Sequence, residues 1–319
     1  MLLEIILLIV GLSILILGAH WLVEGASSVA AKLGISAFTI GLTVVAFGTS
    51  MPELVVNIMA SISGNTGLAI GNVVGSNTIN ILLVVGIAAL IKPINILSST
   101  VRIEIPFSLL AAVVLLILAN DKLIDGANES ILSRIDGLIL LLFLIIFFFY
   151  TFHSAKSDKY APIQEVKVRK GFISAAMILG GIVGLYFGGK LIVDSSVSIA
   201  HSLGISDALI GLTVVAIGTS LPELVTSVVA AYKGNSDIAI GNVLGSNIFN
   251  IFMVLGLSGT VRPLPFYQTA NIDILVTCFA SIMLFFFALA GPGQKIDRRE
   301  GGLFVAVYIG YIAYLVATS

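Results

Sequence analysis

Charge is what this chain most conspicuously lacks. Only 10% of its 319 residues are Asp, Glu, Lys or Arg, where an ordinary soluble domain has about 25%. So few charges could not cover a water-facing surface, so the surrounding solvent must be lipid. The 16 basic and 17 acidic residues nearly cancel, and this balance gives no reason to expect a nucleic-acid partner. The single cysteine, Cys278, excludes an intrachain disulfide. The three histidines, His20, His153 and His201, have no partners at metal-binding spacing; they read as interfacial residues, and donors for a soft metal are missing.

Long apolar runs are what the chain has instead: 58% of residues are hydrophobic and the mean hydropathy is +1.13. A bilayer-spanning helix needs about 20 mostly apolar residues. Runs of that kind lie at 2–23, 37–62, 68–91, 103–119, 131–152, 171–193, 207–232, 238–261, 270–290 and 301–318. The expected fold is therefore all-α, a polytopic membrane protein of ten transmembrane helices. The first run opens MLLE, with an acid where a signal peptide carries a base, and reads as a retained span. The polar stretch 153–170 reads as a solvated linker between the fifth and sixth spans.

Basic residues favour cytoplasmic loops. With the N-terminus outside, twelve of them fall in inner loops (Lys32, Lys92, Arg102, Lys156, Lys159, Lys167, Arg169, Lys170, Lys233, Lys295, Arg298, Arg299) and four in outer loops (Lys122, Arg134, Lys190, Arg262). The expectation is a multi-pass protein of the plasma membrane with both termini outside and the 153–170 linker cytoplasmic.

The chain also repeats itself at an offset of 170. Residues 41–57 match 211–227 at 13 of 17 positions, and 69–82 match 239–252 at 10 of 14. This divides it into a first five-helix repeat (1–152), the linker, and a second five-helix repeat (171–319). Five is odd, so the halves enter the membrane in opposite senses. Inverted repeats with substrate sites at the midplane are a signature of secondary transporters.

The repeated segments carry unusual chemistry. Each first motif, GTSMPE at 48–53 and GTSLPE at 218–223, places a proline and a carboxylate inside an apolar run. Pro52 and Pro222 cannot donate a helical hydrogen bond, and freed backbone oxygens at membrane depth are tolerated only beside protein or water. Thr49, Ser50, Thr219 and Ser220 add hydroxyls; Glu53 and Glu223 add carboxylates. Such hard oxygen donors suit Ca2+ and Na+. In the second motif Ser76 and Asn80, like Ser246 and Asn250, are spaced i, i+4 and share a helix face. Gly71, Gly75, Gly241 and Gly245 allow close helix approach there, and Gly180, Gly184 and Gly188 form a small-residue stripe suited to packing or sliding. Asn72, Asn77, Asn242 and Asn247 read as caps or interhelical glue. Glu24 and Asp194 correspond at the same offset but sit near span ends, where solvated acids are ordinary. A lone intramembrane Glu can be a protonated packing residue, because burying its charge costs about 2.5–3.5 kcal/mol. Two equivalent ones, each flanked by Thr, Ser and Pro, are poorly explained that way. A cation channel needs a continuous multi-ion path, and an intramembrane hydrolase needs a base beside Ser50 or Ser220 that the sequence does not place there.

Together, GTSMPE with GNVVGSNTIN and GTSLPE with GNVLGSNIFN closely resemble the two alpha-repeats of the cation/Ca2+ exchanger superfamily, above all its prokaryotic Na+/Ca2+ exchangers, over essentially the whole chain. The resemblance implies an antiporter rather than an enzyme, with Ca2+ and Na+ as substrates, no cofactor and no implied protein partner. It makes Glu53 and Glu223 the central Ca2+ ligands, with further oxygens from Thr49, Ser50, Thr219, Ser220, Ser76 and Ser246 and from backbone carbonyls near Ala46 and Ala216. Spans 2–23 and 171–193 would slide across a fixed core. Where some relatives carry Asp this chain has Asn250, paired with Asn80, and that implies K+-independent exchange. GNVVG and GNVLG, in place of a GNxxE pattern, disfavour the H+/Ca2+ branch. The alternatives kept are H+/Ca2+ exchange and K+-dependent Na+/Ca2+ exchange.

On a Cys278-free background, a cysteine at position 160 should react with impermeant thiol reagents only from the cytoplasm and one at position 125 only from outside. Labelling of both from one side would overturn the inverted arrangement.

Overall fold

A computed structural model describes residues 2–64, 66–97, 100–154, 168–202, 216–268, 270–290 and 294–318. The long helices are α1 (Leu2–Leu33), α2 (Ala37–Thr49), α3 (Met51–Ser63), α4 (Ala69–Ile91), α5 (Thr100–Leu118), α6 (Arg134–Ser154), α7 (Gly171–Ser202), the short α8 (Ala216–Thr219), α9 (Leu221–Tyr232), α10 (Ser236–Val261), α11 (Ala270–Ala290) and α12 (Arg298–Thr318). Among the described residues eight helices are long and apolar enough to span a membrane, and nine when α2 and α3, bent by 44°, count as one. The expected tenth span, 207–232, begins outside the described residues, as do 155–167 of the linker. The outermost helices of the two halves overrun their apolar stretches: α1 continues past Val23 to Leu33, and α7 past Val193 to Ser202.

The repeated motifs account for the irregular backbone. Ser50 sits at φ −82°, ψ 4°, between helices, and α3 restarts with Pro52 in its first turn. There the missing N–H has no intrahelical partner to lose. Ser220 (φ −89°, ψ 2°) and Pro222 open α9 in the same way. The prolines therefore start helices in mid-membrane instead of kinking continuous ones. α4 and α10 stay unbroken but widen into π-helical turns at Ile79–Val84 and Asn250–Leu255, each beginning at or next to the Asn of the second motif. Such turns are frequent at functional sites.

Two small antiparallel pairings orient the helices. Strand β1 (Ile94–Asn95), which follows α4, pairs with β4 (Lys295–Ile296), which precedes α12. Strand β2 (Ile131–Leu132) pairs with β3 (Leu264–Pro265), which follows α10. One membrane-length helix, α5 or α11, separates each strand from the other pair, so the two pairs lie on opposite faces. Helices α4 and α10, equivalent at the 170 offset, thus end on opposite sides. Close glycine contacts pack the flanking helices the same way twice: a Cβ on Gly86 would meet Gly301 O at 3.0 Å, and one on Gly137 would meet Gly256 O at 2.7 Å. α6 and α12 also open alike. Ser133 and Asp136 exchange hydrogen bonds at the start of α6, as Asp297 and Glu300 do at the start of α12, each a reciprocal cap. The N–H groups of Glu300 and Arg299 hold the Asp297 carboxyl below its usual range.

α1 and α7 lie against one another outside this core. A Cβ on Gly18 would sit 2.8 Å from Leu185 N, one on Gly181 2.7 Å from Leu22 N, and one on Gly188 2.7 Å from Leu15 N. With no side chains between the backbones, the two helices make a smooth contact with few interdigitating groups. The expected close approach also appears at Gly241 and Gly245, which meet the backbone oxygens of Phe38 and Leu42. For Gly71 and Gly75 the equivalent partners, 208 and 212, lie outside the described residues.

Candidate cation-binding site

The helix breaks before α3 and α9 face the π-helical turns of α4 and α10. Between them Thr49, Ser50, Glu53, Ser76, Asn80, Ser220, Glu223, Ser246 and Asn250 are buried to within 1% of complete exclusion, and Thr219 to within 8%. Hydrogen bonds run both within and between the halves. Ser76 Oγ donates to Glu53 Oε1 at 3.2 Å, and Ser220 Oγ donates to Ser76 Oγ at 3.0 Å. Ser50 and Ser246 donate to Glu223 Oε1 at 3.2 and 3.4 Å. Thr49 Oγ1 lies 3.0 Å from Asn242 Oδ1 and 3.3 Å from Ser246 Oγ, while Thr219 Oγ1 lies 3.2 Å from Asn72 Oδ1. Asn80 Nδ2 donates to Asn247 Oδ1 at 3.1 Å, and Asn250 Nδ2 donates to Asn77 Oδ1 at 3.1 Å. In each pair both residues shift by 170 to give the other.

The acceptors left over define the chemistry. Glu53 Oε2, Glu223 Oε2, Asn80 Oδ1 and Asn250 Oδ1 are buried without a hydrogen-bond partner. An unsatisfied buried polar group costs about 1–3 kcal/mol, more when charged. These four acceptors, each with its 170-offset equivalent, form a cluster of oxygen lone pairs that a cation could fill, while the amide nitrogens of Asn72 and Asn247 are buried without a partner as well. The donor set contains only oxygens, two of the residues being carboxylates, which suits a hard ion.

Two expected contributors behave differently. Ala46 O accepts Ser50 N–H at 3.0 Å and lies 3.2 Å from Thr49 Oγ1, so in this conformation it already has partners. Ala216 opens α8, and Ser220 N–H turns instead to Ile217 O at 3.1 Å. The asparagines 72, 77, 242 and 247 are glue with a specific target, because they hold the threonine hydroxyls and the site amides. Their repetition in both halves is the sequence signal for that role.

A cleft of about 210 Å³ reaches the site from one side. It is lined by Pro52, Val55 and Val56 of α3, Lys190, Val193 and Asp194 of α7, and by Thr219 and Pro222 beside the helix break. α7 starts at the linker face and α3 runs away from it, so the cleft opens on the opposite face. At the 170-offset positions on the linker side, Leu15, Ala19, Val23 and Thr226 are fully buried. Further contacts hold α1 closed there: Arg169 Nη2 donates to Glu24 Oε1 at 3.0 Å, Ser28 and Ser174 hydroxyls meet at 2.8 Å, and Asn235 Nδ2 donates to Ser27 Oγ at 3.3 Å. His20, half exposed, lies 3.6 Å from Glu24, His153 stacks on Phe149, and the His201 side chain lies outside the described residues.

The sequence model for sodium/calcium exchanger proteins matches residues 3–153 and again 173–317. The chain belongs to the sodium/calcium exchanger family. It is 37% identical over 324 positions, covering all of both chains, to a putative antiporter, CaxA, of Alkalimonas amylolytica. It is 34% identical over 344 positions, covering 97% of both, to the sodium/calcium exchanger MaX1 of Methanosarcina acetivorans. Among solved structures, the sodium-calcium exchanger NCX_Mj soaked with 10 mM Na+ and 10 mM Sr2+ superposes with a TM-score of 0.84 at 35% identity and 98% coverage of both chains. The family identifies this chain as a multi-pass membrane transporter for cation/Ca2+ exchange, not an enzyme, with ions as substrates and no cofactor.

Ser76 joins Glu53 to Ser220 and accepts from Asn250 Nδ2 at 3.2 Å. Ser76→Ala would remove one oxygen from the set offered to an ion, and the loss of about 1–2 kcal/mol of interaction in the bound state is expected to raise half-maximal Ca2+ for exchange about five- to thirtyfold with folding retained. An unchanged half-saturation would remove Ser76 from the site.

Proposed function

We propose that the protein is a Na+/Ca2+ antiporter of the plasma membrane, built from two inverted five-helix repeats that flank the 153–170 linker, with both termini outside and the linker cytoplasmic. The observation that carries this reading is the set of orphan acceptors on Glu53, Glu223, Asn80 and Asn250, enclosed by the hydroxyls of Thr49, Ser50, Ser76, Thr219, Ser220 and Ser246. The carboxylates and these oxygens would bind either one Ca2+ or several Na+, not both at once, and that exclusivity couples the two fluxes. Backbone carbonyls at Ala46 and Ala216 would join when the helix breaks adjust. The smooth α1/α7 contact would let this pair shift, closing the present cleft and opening its 170-offset counterpart beside Glu24.

The charge count sets voltage dependence. Two carboxylates are neutralised by one Ca2+, while three Na+, the stoichiometry the family resemblance implies, would leave the loaded site at +1. Net charge then crosses on the Na+ step. One charge moved through 100 mV is worth about 2.3 kcal/mol, or roughly fifty-fold in the Ca2+ gradient. The amides Asn80 and Asn250, hydrogen-bonded across the halves, bring no third acid and favour K+-independent exchange.

In proteoliposomes, 45Ca2+ uptake should follow an imposed Na+ gradient, persist without K+, ignore an H+ gradient and respond to a clamped potential. Flux indifferent to voltage would refute the charge count, a strict K+ requirement would refute the Asn250 reading, and uptake driven by H+ alone would refute the Na+ assignment.

A further inference from the structure

The cleft wall carries one ion pair that the site chemistry does not use. Lys190 Nζ lies 2.9 Å from Asp194 Oδ2, one helical turn apart on α7, and both residues line the cleft together with Thr219 and Pro222. Asp194 is the one carboxylate among the described lining residues, so a cation entering by the cleft meets it on the wall. The two side chains are 58% and 59% exposed; a pair so solvated is weak, and Lys preceding Asp at i, i+4 is the less favourable order along a helix. The bond is therefore readily broken.

We propose that Lys190 and Asp194 form an electrostatic gate at the mouth of the cleft: Asp194 receives the incoming hydrated cation, and Lys190, a tethered competitor, neutralises the carboxylate between arrivals. A bare carboxylate in a cleft with low-dielectric walls would raise the local cation concentration, whereas a bare ammonium would repel cations, most strongly the divalent one. The gate thus sets how fast Ca2+ and Na+ load from this face without touching the ions once bound. Its counterpart is unequal. The 170-offset positions carry His20 and Glu24, and Glu24 is held by Arg169 from the linker side of α7. This inference rests on the exchange reading above.

The test compares wild type, Lys190→Gln, Asp194→Asn and the double variant in sealed membrane vesicles of both orientations. It follows initial Na+-gradient-driven 45Ca2+ uptake at low ionic strength and with 0.5 M choline chloride. Lys190→Gln should raise uptake efficiency from the cleft face about three- to tenfold at low ionic strength, and Asp194→Asn should lower it similarly. The double variant should return to within about twofold of wild type, and added salt should shrink all these differences. Ca2+ presented at the linker face should give equal rates in all four. Single variants that match wild type, shift both faces alike or resist salt would overturn the gate while leaving the exchanger reading intact. A wild-type protein with no Na+-driven Ca2+ flux would instead overturn that reading. Should Asp194→Asn fail to fold, Lys190→Gln alone decides, since an efficiency at or below wild type sinks the proposal.

Discussion

Two carboxylates buried at the centre of a membrane protein constrain almost everything else in this structure. Glu53 and Glu223 are wholly excluded from solvent, and each has one oxygen that no donor reaches. A charged group at that depth costs several kcal/mol unless something opposes it, and among the described residues no Lys or Arg is paired with either. In the proposed reading the cation that neutralises them is the transported ion, so that binding substrate and satisfying the fold would be one event. Hydroxyls from both halves supply the partial charges that keep the pair tolerable between ions, with Ser50 reaching Glu223 and Ser220 reaching Ser76.

The rest of the fold positions those groups. Pro52 and Pro222 end one helix and start the next at membrane depth, which points Ser50 and Ser220 inward. The π-helical turns at Ile79–Val84 and Asn250–Leu255 do the same for Asn80 and Asn250. Outside this core, α1 and α7 touch through Gly18, Gly181 and Gly188 and are joined by polar contacts at the linker face. An open cleft on one side and buried equivalents on the other are what alternating access requires of an inverted repeat.

Much of the site was legible in the sequence because symmetry made it so. Repetition of GTSxPE and GNVxGSN at a fixed offset singled out most of the oxygens of the candidate site, whose type suits a hard cation, but not the buried Asn57, Thr226 and Ser227 beside it. What the sequence hid was conformational. Helical spacing predicts Pro52 inside a long helix, whereas the chain breaks at Ser50 because a first-turn proline is cheaper than an interior one. Nothing in the residue pattern says that Ala46 O would already be engaged by Ser50 and Thr49, or that Asn242 and Asn72 would hold the two threonines. The overrun of α1 to Leu33 and of α7 to Ser202 was invisible to a reading by hydropathy, since polar residues can extend a helix beyond the lipid. Lys190 and Asp194 read as ordinary solvated charges until the cleft placed them on its wall.

The most direct test of the central claim is Ca2+ transport by Glu53→Gln and Glu223→Gln in reconstituted vesicles, alongside a thermal melt of each purified variant. Removing one charge weakens attraction for a divalent ion most, so each variant should melt as a folded protein and lose Na+-dependent Ca2+ flux almost completely. Near-normal flux in either variant would contradict the account.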